Sequence, residues 1–459
     1  MPPRPSTWIA IAAAVLAAMA FVGLPRLGSQ VVRASLAAEG AADRAAYAAG
    51  SSPWAWRFER ADDIVAGHVF GDGTLDERGH ALAVTARGNV PVQIGFPIAR
   101  SADLGELDTL TLSVTAPASG RYALLVRQTL EGPLLRAAVS LTGPSIALDS
   151  LDWRDEANHP AASPKRAAML RLEARLPPGA PLFLTAAALA SSGPRHDPTR
   201  LAIPPDLSTE ALLRWRDRQH AIRPVATFGD AASTPAAPWR RDVVLATYGV
   251  LLIAAGLRFR KPRPARLRDA TLVLVGPLGF IAGMGLSTRP APVDVAIFGM
   301  GVAYAAFLTW RRAIPPWQVY GSWRMAGWPL LAIPVAIGLV AVAGHAPVWP
   351  SPGRMLVYVG WALFQQWLLL AVFGGILART LPRPMAVLLT ALAFALLHTP
   401  NGLLMQLCFV AELGWAWWFF QRRALLPVAL AHAAAAVVLQ AGLAGGILRS
   451  LEVSARYLQ

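Results

Sequence analysis

Of the 27 aspartates and glutamates in this chain of 459 residues, 22 lie before residue 242, and only Asp242, Asp269, Asp294, Glu412 and Glu452 follow. Beyond that point the sequence becomes a series of apolar runs: 242 to 257, 270 to 286, 294 to 310, 325 to 344, 355 to 378, 384 to 398, 402 to 420 and 425 to 447. Most approach the roughly 20 apolar residues that an α-helix needs to cross a hydrocarbon core. Residues 242–459 are therefore expected to form a polytopic all-α membrane bundle of about eight helices. A hydrophobic share of 55 % against 15 % charged residues agrees with that partition.

The net charge of +15 would suggest a nucleic-acid partner in a soluble protein. Here the basic residues instead fall in short connections: RFRKPRPARLR (258–268), RRAIPPWQVYGSWR (311–324), RTLPR (379–383) and QRR (421–423). These are every second connection, whereas STRPAPV and HAPVWPSPGR carry one arginine each. Basic loops on alternate connections report topology, and they place those four loops in the cytoplasm. No nucleic acid is expected as a partner.

Residues 7–24, TWIAIAAAVLAAMAFVGL, are uncharged and follow Arg4. They are expected to be a transmembrane anchor within residues 1–24. The competing reading is a cleaved signal peptide, for which Ala18 and Ala20 would supply the small-residue site. Pro25 follows at once and the run is long for a signal peptide, which favours the anchor. Residues 25–241 are then extracytoplasmic. Within them, HALAVTA, TLTLSV, YALLVRQ, AMLRLEARL and PLFLTAAALA have strand-like patterns, separated by GDG, ARGN, PASG, LTGPS and LPPGAP. Their spacing predicts an all-β sandwich over 50–192, jelly-roll-like in general look. A linking helix near 207–220 starts at Ser208 or Thr209. In PWAWRFER, Trp54, Trp56 and Phe58 could stack on a sugar, and Trp153 shares that ambiguity. Alternation along a strand favours a core role.

Polar side chains inside the apolar runs are costly unless they find internal partners. Gln365 and Gln366 in WALFQQWLLL, His398 four residues after Phe394, and His432 in ALAHAAAAV lie in three different runs. Glu412, in CFVAELGWAWW, is the one carboxylate well inside any of them. Each could be interhelical glue. Together they could converge into a polar chamber. A zinc site of His398, His432 and Glu412 is the metal alternative, but it lacks the paired histidines of a metalloprotease helix, and neither metal nor cofactor is expected.

The order and wording of these segments over residues 355–440 resemble the CAAX prenyl protease and bacteriocin-processing (CPBP, or Abi) family of glutamic-type intramembrane endopeptidases. FALLHTPNG matches the family's Phe-x-x-x-His helix through Phe394 and His398, and LLPVALAHAAAA resembles the last motif through Pro427 and His432. The Glu-Glu pair falls on Gln365 and Gln366, the motif arginine on Leu370 and the terminal asparagine on Ala436. The resemblance implies peptide hydrolysis at membrane depth, acting on a membrane peptide or lipid-linked protein. An amide has no titratable group near neutral pH and does not serve as a general base, so impaired or altered catalysis is expected. Glu412 could be a relocated base. With the four basic loops cytoplasmic, the sandwich is expected on the outer side, periplasmic in a Gram-negative cell, of a bacterial inner-membrane protein. From a different class, the alternative is a non-enzymatic envelope assembly factor whose sandwich binds a glycan or protein. A transporter is disfavoured by the scarcity of intramembrane charge.

Overall fold

The computed structural model describes residues 5–48, 54–98, 101–192, 199–222, 226–229, 239–261, 263–288, 290–321 and 327–458. Residues 50–53 of the expected sandwich, 322–324 of the second basic loop and Arg289 lie outside them. The chain divides into two compact units, one made of residues 1–34, 204–213 and 236–459 and the other of residues 35–203 and 214–235.

The second of these is β-rich. Its longer sheet runs Gly73–Arg78, Ala81–Ala86, Leu182–Ala190, Thr109–Thr115 and Ser145–Ala147, all antiparallel. Leu182–Ala190 changes register between Leu184 and Ala186 against Thr109–Thr115, and on its other edge Ala55–Arg57 succeeds Ala81–Ala86. The other sheet runs Trp153–Arg154, Leu134–Val139, Arg121–Arg127, Met169–Arg175 and Val92–Phe96. Side chains of both sheets, among them Leu82, Ile94, Leu124, Leu172 and Leu184, fill one apolar core. Period-2 burial along Met169–Arg175 is what one buried face produces. Trp54, Phe58 and Trp153 belong to that core. The Trp153 indole donates to the Leu148 carbonyl at 2.8 Å. Trp56 is half-buried against Phe96, with its indole donating to Pro97 O at 2.9 Å. These aromatics follow the alternation read from the sequence.

Helix α1 spans Pro5–Ala48 and contains Pro25. The helix thus runs on past residue 24, where the apolar run of the expected anchor stops. Proline removes the N–H that would reach the Phe21 carbonyl four residues back. The Gln406 side-chain amide donates to that carbonyl at 2.9 Å, so the turn is not left unsatisfied. Ala13 and Leu24 of α1 pack with Leu388, Ala391, Met405 and Phe409. Helix α2 (Thr209–Ile222) begins where the sequence indicated, with Ser208 Oγ accepting from Ala211 N at 3.3 Å.

Each apolar run beyond residue 242 contains helix: α3 (Trp239–Leu257), α4 (Leu267–Ala282), α5 (Pro292–Trp310), α6 (Gly327–Leu330) with α7 (Ala332–Ala343), and α8 (Pro352–Gln366) followed by α9 (Gly375–Thr380). Helices α10 (Arg383–Leu396), α11 (Gly402–Arg422) and α12 (Leu426–Leu443) complete the runs, and a short α13 (Ala455–Leu458) follows. Among the described residues six helices are long and apolar enough to cross a membrane, α1 being one. Between α8 and α9, residues Trp367–Gly374 take π-helical hydrogen bonding. That widening is rare and frequently marks a functional segment.

The four basic connections gather at one end of the helical unit. Ala265 N bonds Ala313 O at 2.9 Å, Arg379 Nη1 donates to Ala313 O at 3.0 Å, and Gln318 N bonds Arg423 O at 2.9 Å. Burial, with the guanidiniums of Arg379 and Arg383 nearby, holds Arg423 below its ordinary value. The connections between them meet at the other end. His345 N bonds Gly442 O at 3.0 Å, Arg456 N bonds Leu286 O at 3.1 Å, and Ser454 N bonds Thr399 O at 2.7 Å.

Candidate active site in the helical unit

The polar positions on α8, α10 and α12 do converge, and α11 adds a fourth. Phe394 is fully buried near the end of α10. The His398 and His432 rings both pack against it, with centroids at 4.7 Å and 5.2 Å, the second perpendicular to the phenyl plane. Trp415 of α11 closes on His432 at 5.5 Å. One phenyl ring therefore sets the spacing of both imidazoles.

The Phe-x-x-x-His spacing has a local reason. Helix α10 tightens at its end, so His398 N bonds Ala395 O rather than Phe394 O. The carbonyl left over is one of the orphan acceptors of a helix terminus. His398 Nδ1 fills it at 2.7 Å. A carbonyl only accepts, so Nδ1 carries the proton and Nε2 keeps its lone pair. Past the following turn, Asn401 caps α11 by accepting from Leu404 N at 3.2 Å, while its Nδ2 donates to Ser450 O at 2.7 Å.

Adjacent helical residues point about 100° apart, and the two glutamines separate accordingly. Gln365 is half-buried and lines a cavity, whereas Gln366 is fully buried. Gln366 Nε2 donates to Glu412 Oε2 at 3.1 Å and lies 3.4 Å from His432 Nδ1. Glu412 is itself fully buried, and neither its Oε1 nor Gln366 Oε1 has a hydrogen-bond partner among the described residues. The cavity has a volume of about 1540 Å³, and Gln365, Phe394, His398 and His432 all reach its wall. Ala436, at the asparagine position of the resemblance, also lines it, and Leu370, at the arginine position, is buried in the helical core. All six candidate residues are thus close to one chamber, with Glu412 behind its wall. Among the described residues no three His, Cys, Asp or Glu side chains are grouped to hold a metal ion.

Four helices thus bring two histidines, an amide pair and a buried carboxylate to one chamber, in a chain whose apolar helices support a multi-pass membrane protein. Residues 355–438, from α8 to α12, match the family model for the type II CAAX prenyl endopeptidase Rce1-like proteins, which supports the CPBP resemblance over this segment. A comparison with curated proteins gives no match to the chain.

Proposed function

We propose that the helical unit receives a membrane peptide, or the membrane-borne end of a lipid-linked protein, in the 1540 Å³ cavity, and that its hydrolytic chemistry is impaired relative to the family. One observation carries the reading: both imidazoles pack on Phe394 at the cavity wall, where the family's histidines would meet a substrate. His398 Nε2, with its lone pair, is the acceptor for a proton from water as the water oxygen attacks the peptide carbonyl. His432 would hold the oxyanion, and the proton would then pass to the leaving amine. The family's carboxylate base is missing at Gln365 and Gln366, and loss of such a group costs orders of magnitude in rate. Glu412 is turned toward Gln366 and does not line the cavity, which argues against its serving as a relocated base.

The gathering of the basic connections at one end supports a cytoplasmic location for that end, in a bacterial inner membrane, with the β-rich unit extracytoplasmic as a two-sheet sandwich. Packing of Ala13 and Leu24 within the helical unit supports a retained anchor over a cleaved signal peptide.

A photo-crosslinking residue at position 436 in the detergent-purified protein should capture members of a membrane-peptide library, with little turnover. Absence of any captured peptide would remove the chamber reading. Efficient cleavage that disappears in His398→Ala would overturn the impairment.

A further inference from the structure

We propose that Glu412 is a positioning residue of this chamber, acting through Gln366 to decide which ring nitrogen of His432 carries the proton. The consequence for chemistry rests on the hydrolase-type reading above, while the proton placement stands on geometry alone.

A carboxylate inside a bundle is costly to keep. Glu412 is fully buried on α11, and its hydrogen bond from Gln366 Nε2 measures 3.1 Å. That contact orients the amide. Turned the other way, Gln366 would set its carbonyl oxygen against a carboxylate oxygen. With the amide nitrogen held toward Glu412, its second hydrogen is available to His432 Nδ1, at 3.4 Å. An NH₂ group only donates, so Nδ1 of His432 accepts and the proton sits on Nε2. His398 is set the opposite way by the Phe394 carbonyl at 2.7 Å. Two imidazoles on one phenyl ring are thereby given complementary tautomers, one presenting a lone pair and the other an N–H. Peptide hydrolysis uses both: an acceptor for the proton of water and a donor for the oxyanion. The order of the chain is carboxylate on α11, amide on α8, imidazole on α12. Gln366 is the link through which a carboxylate off the cavity wall reaches a histidine on it.

The test is nitrogen NMR of the full-length protein with labelled histidine, which distinguishes protonated from lone-pair ring nitrogens. His432 is assigned by difference from His432→Gln. In the wild type the proton of His432 should lie on Nε2 and that of His398 on Nδ1. In Glu412→Leu the Gln366 amide is free to turn, and the His432 tautomer ratio should fall about fivefold, the scale of a hydrogen bond between neutral groups. Gln366→Leu should lose the same preference. Glu412→Gln keeps an acceptor and should restore it. A wild-type His432 protonated on Nδ1, or an unchanged preference in Glu412→Leu, would overturn the proposal. Should the leucine variants fail to fold, the wild-type spectrum decides. An unchanged tautomer with peptides still captured at position 436 removes the role of Glu412 alone. Stated tautomers without capture remove the proposed function instead.

Discussion

Restoring the acidic pair one residue at a time should separate the two glutamines sharply. Gln366→Glu sets a second carboxyl about where the amide now lies, 3.1 Å from Glu412 Oε2. In alkali, where both carboxyls are ionised, two full charges at that distance repel by about 5 kcal/mol even at an effective dielectric constant of about 20. The variant also loses the donor that satisfied Glu412, and an uncompensated buried charge costs about 3 to 5 kcal/mol. A shared proton relieves part of this, so the loss should be greatest in alkali and shrink as the pH falls. Gln365→Glu places its carboxylate on the cavity wall, where water stays within reach, and should cost under about 1 kcal/mol. Denaturation in mixed micelles, followed by tryptophan fluorescence, gives both values. The swap Gln366→Glu with Glu412→Gln returns one donor and one acceptor to the pair and should recover most of the loss. In that swap His432 Nδ1 would face a carboxylate and have to carry the proton. Equal stability of the two single variants, or no recovery in the swap, would refute the pairing on which these numbers rest.

Phe394→Ala removes a fully buried ring, and the lost burial together with the void should cost about 3 to 5 kcal/mol; Phe394→Leu should lose less than half of that in the same unfolding assay. Both ring nitrogens of His345, in the connection after α7, face carbonyls, Ala346 O and Ala444 O. These bonds favour the charged ring and raise its value, so its stabilisation is complete below the unfolded value of about 6.5 and is lost as pH rises through the folded one. Amide hydrogen exchange around residues 344–348, corrected for intrinsic rates, should therefore rise with pH in the wild type and lose that dependence in His345→Phe. In the β-rich unit, Trp153→Phe leaves the Leu148 carbonyl with only the long bond from Ser163 Oγ at 3.5 Å and should lower stability by about 1 kcal/mol, measured by chemical denaturation. Gln406→Leu should destabilise the packing of α1 by about 1 to 3 kcal/mol, the scale for a polar group left without a partner, read as faster proteolysis near Pro25.

How far the sequence could be read depended on whether its signals were local. Apolar runs, the charges between them and the alternation in AMLRLEARL are local, and each has its counterpart in helix, basic end or strand. The passage of α1 through Pro25 was not legible, because the Phe21 carbonyl that the proline leaves unbonded is satisfied by a side chain 385 positions further on. The π-helical stretch at Trp367–Gly374 is another such case, since WLLLAVFG has the composition of any buried helix. At the site, residue types and order identified the histidines, the amide pair and Phe394. Which glutamine turns toward the histidine could not be read, since α8 had to be rotated against α11 before Glu412 selected Gln366.

The bond between Gln406 and the Phe21 carbonyl also orders events in time. During synthesis the opening helix leaves the ribosome with one peptide oxygen whose donor has yet to be made. Almost the whole polypeptide must be threaded before that donor exists. Helix α1 can therefore pack on α10 and α11 with this bond in place only after residue 406 has been made.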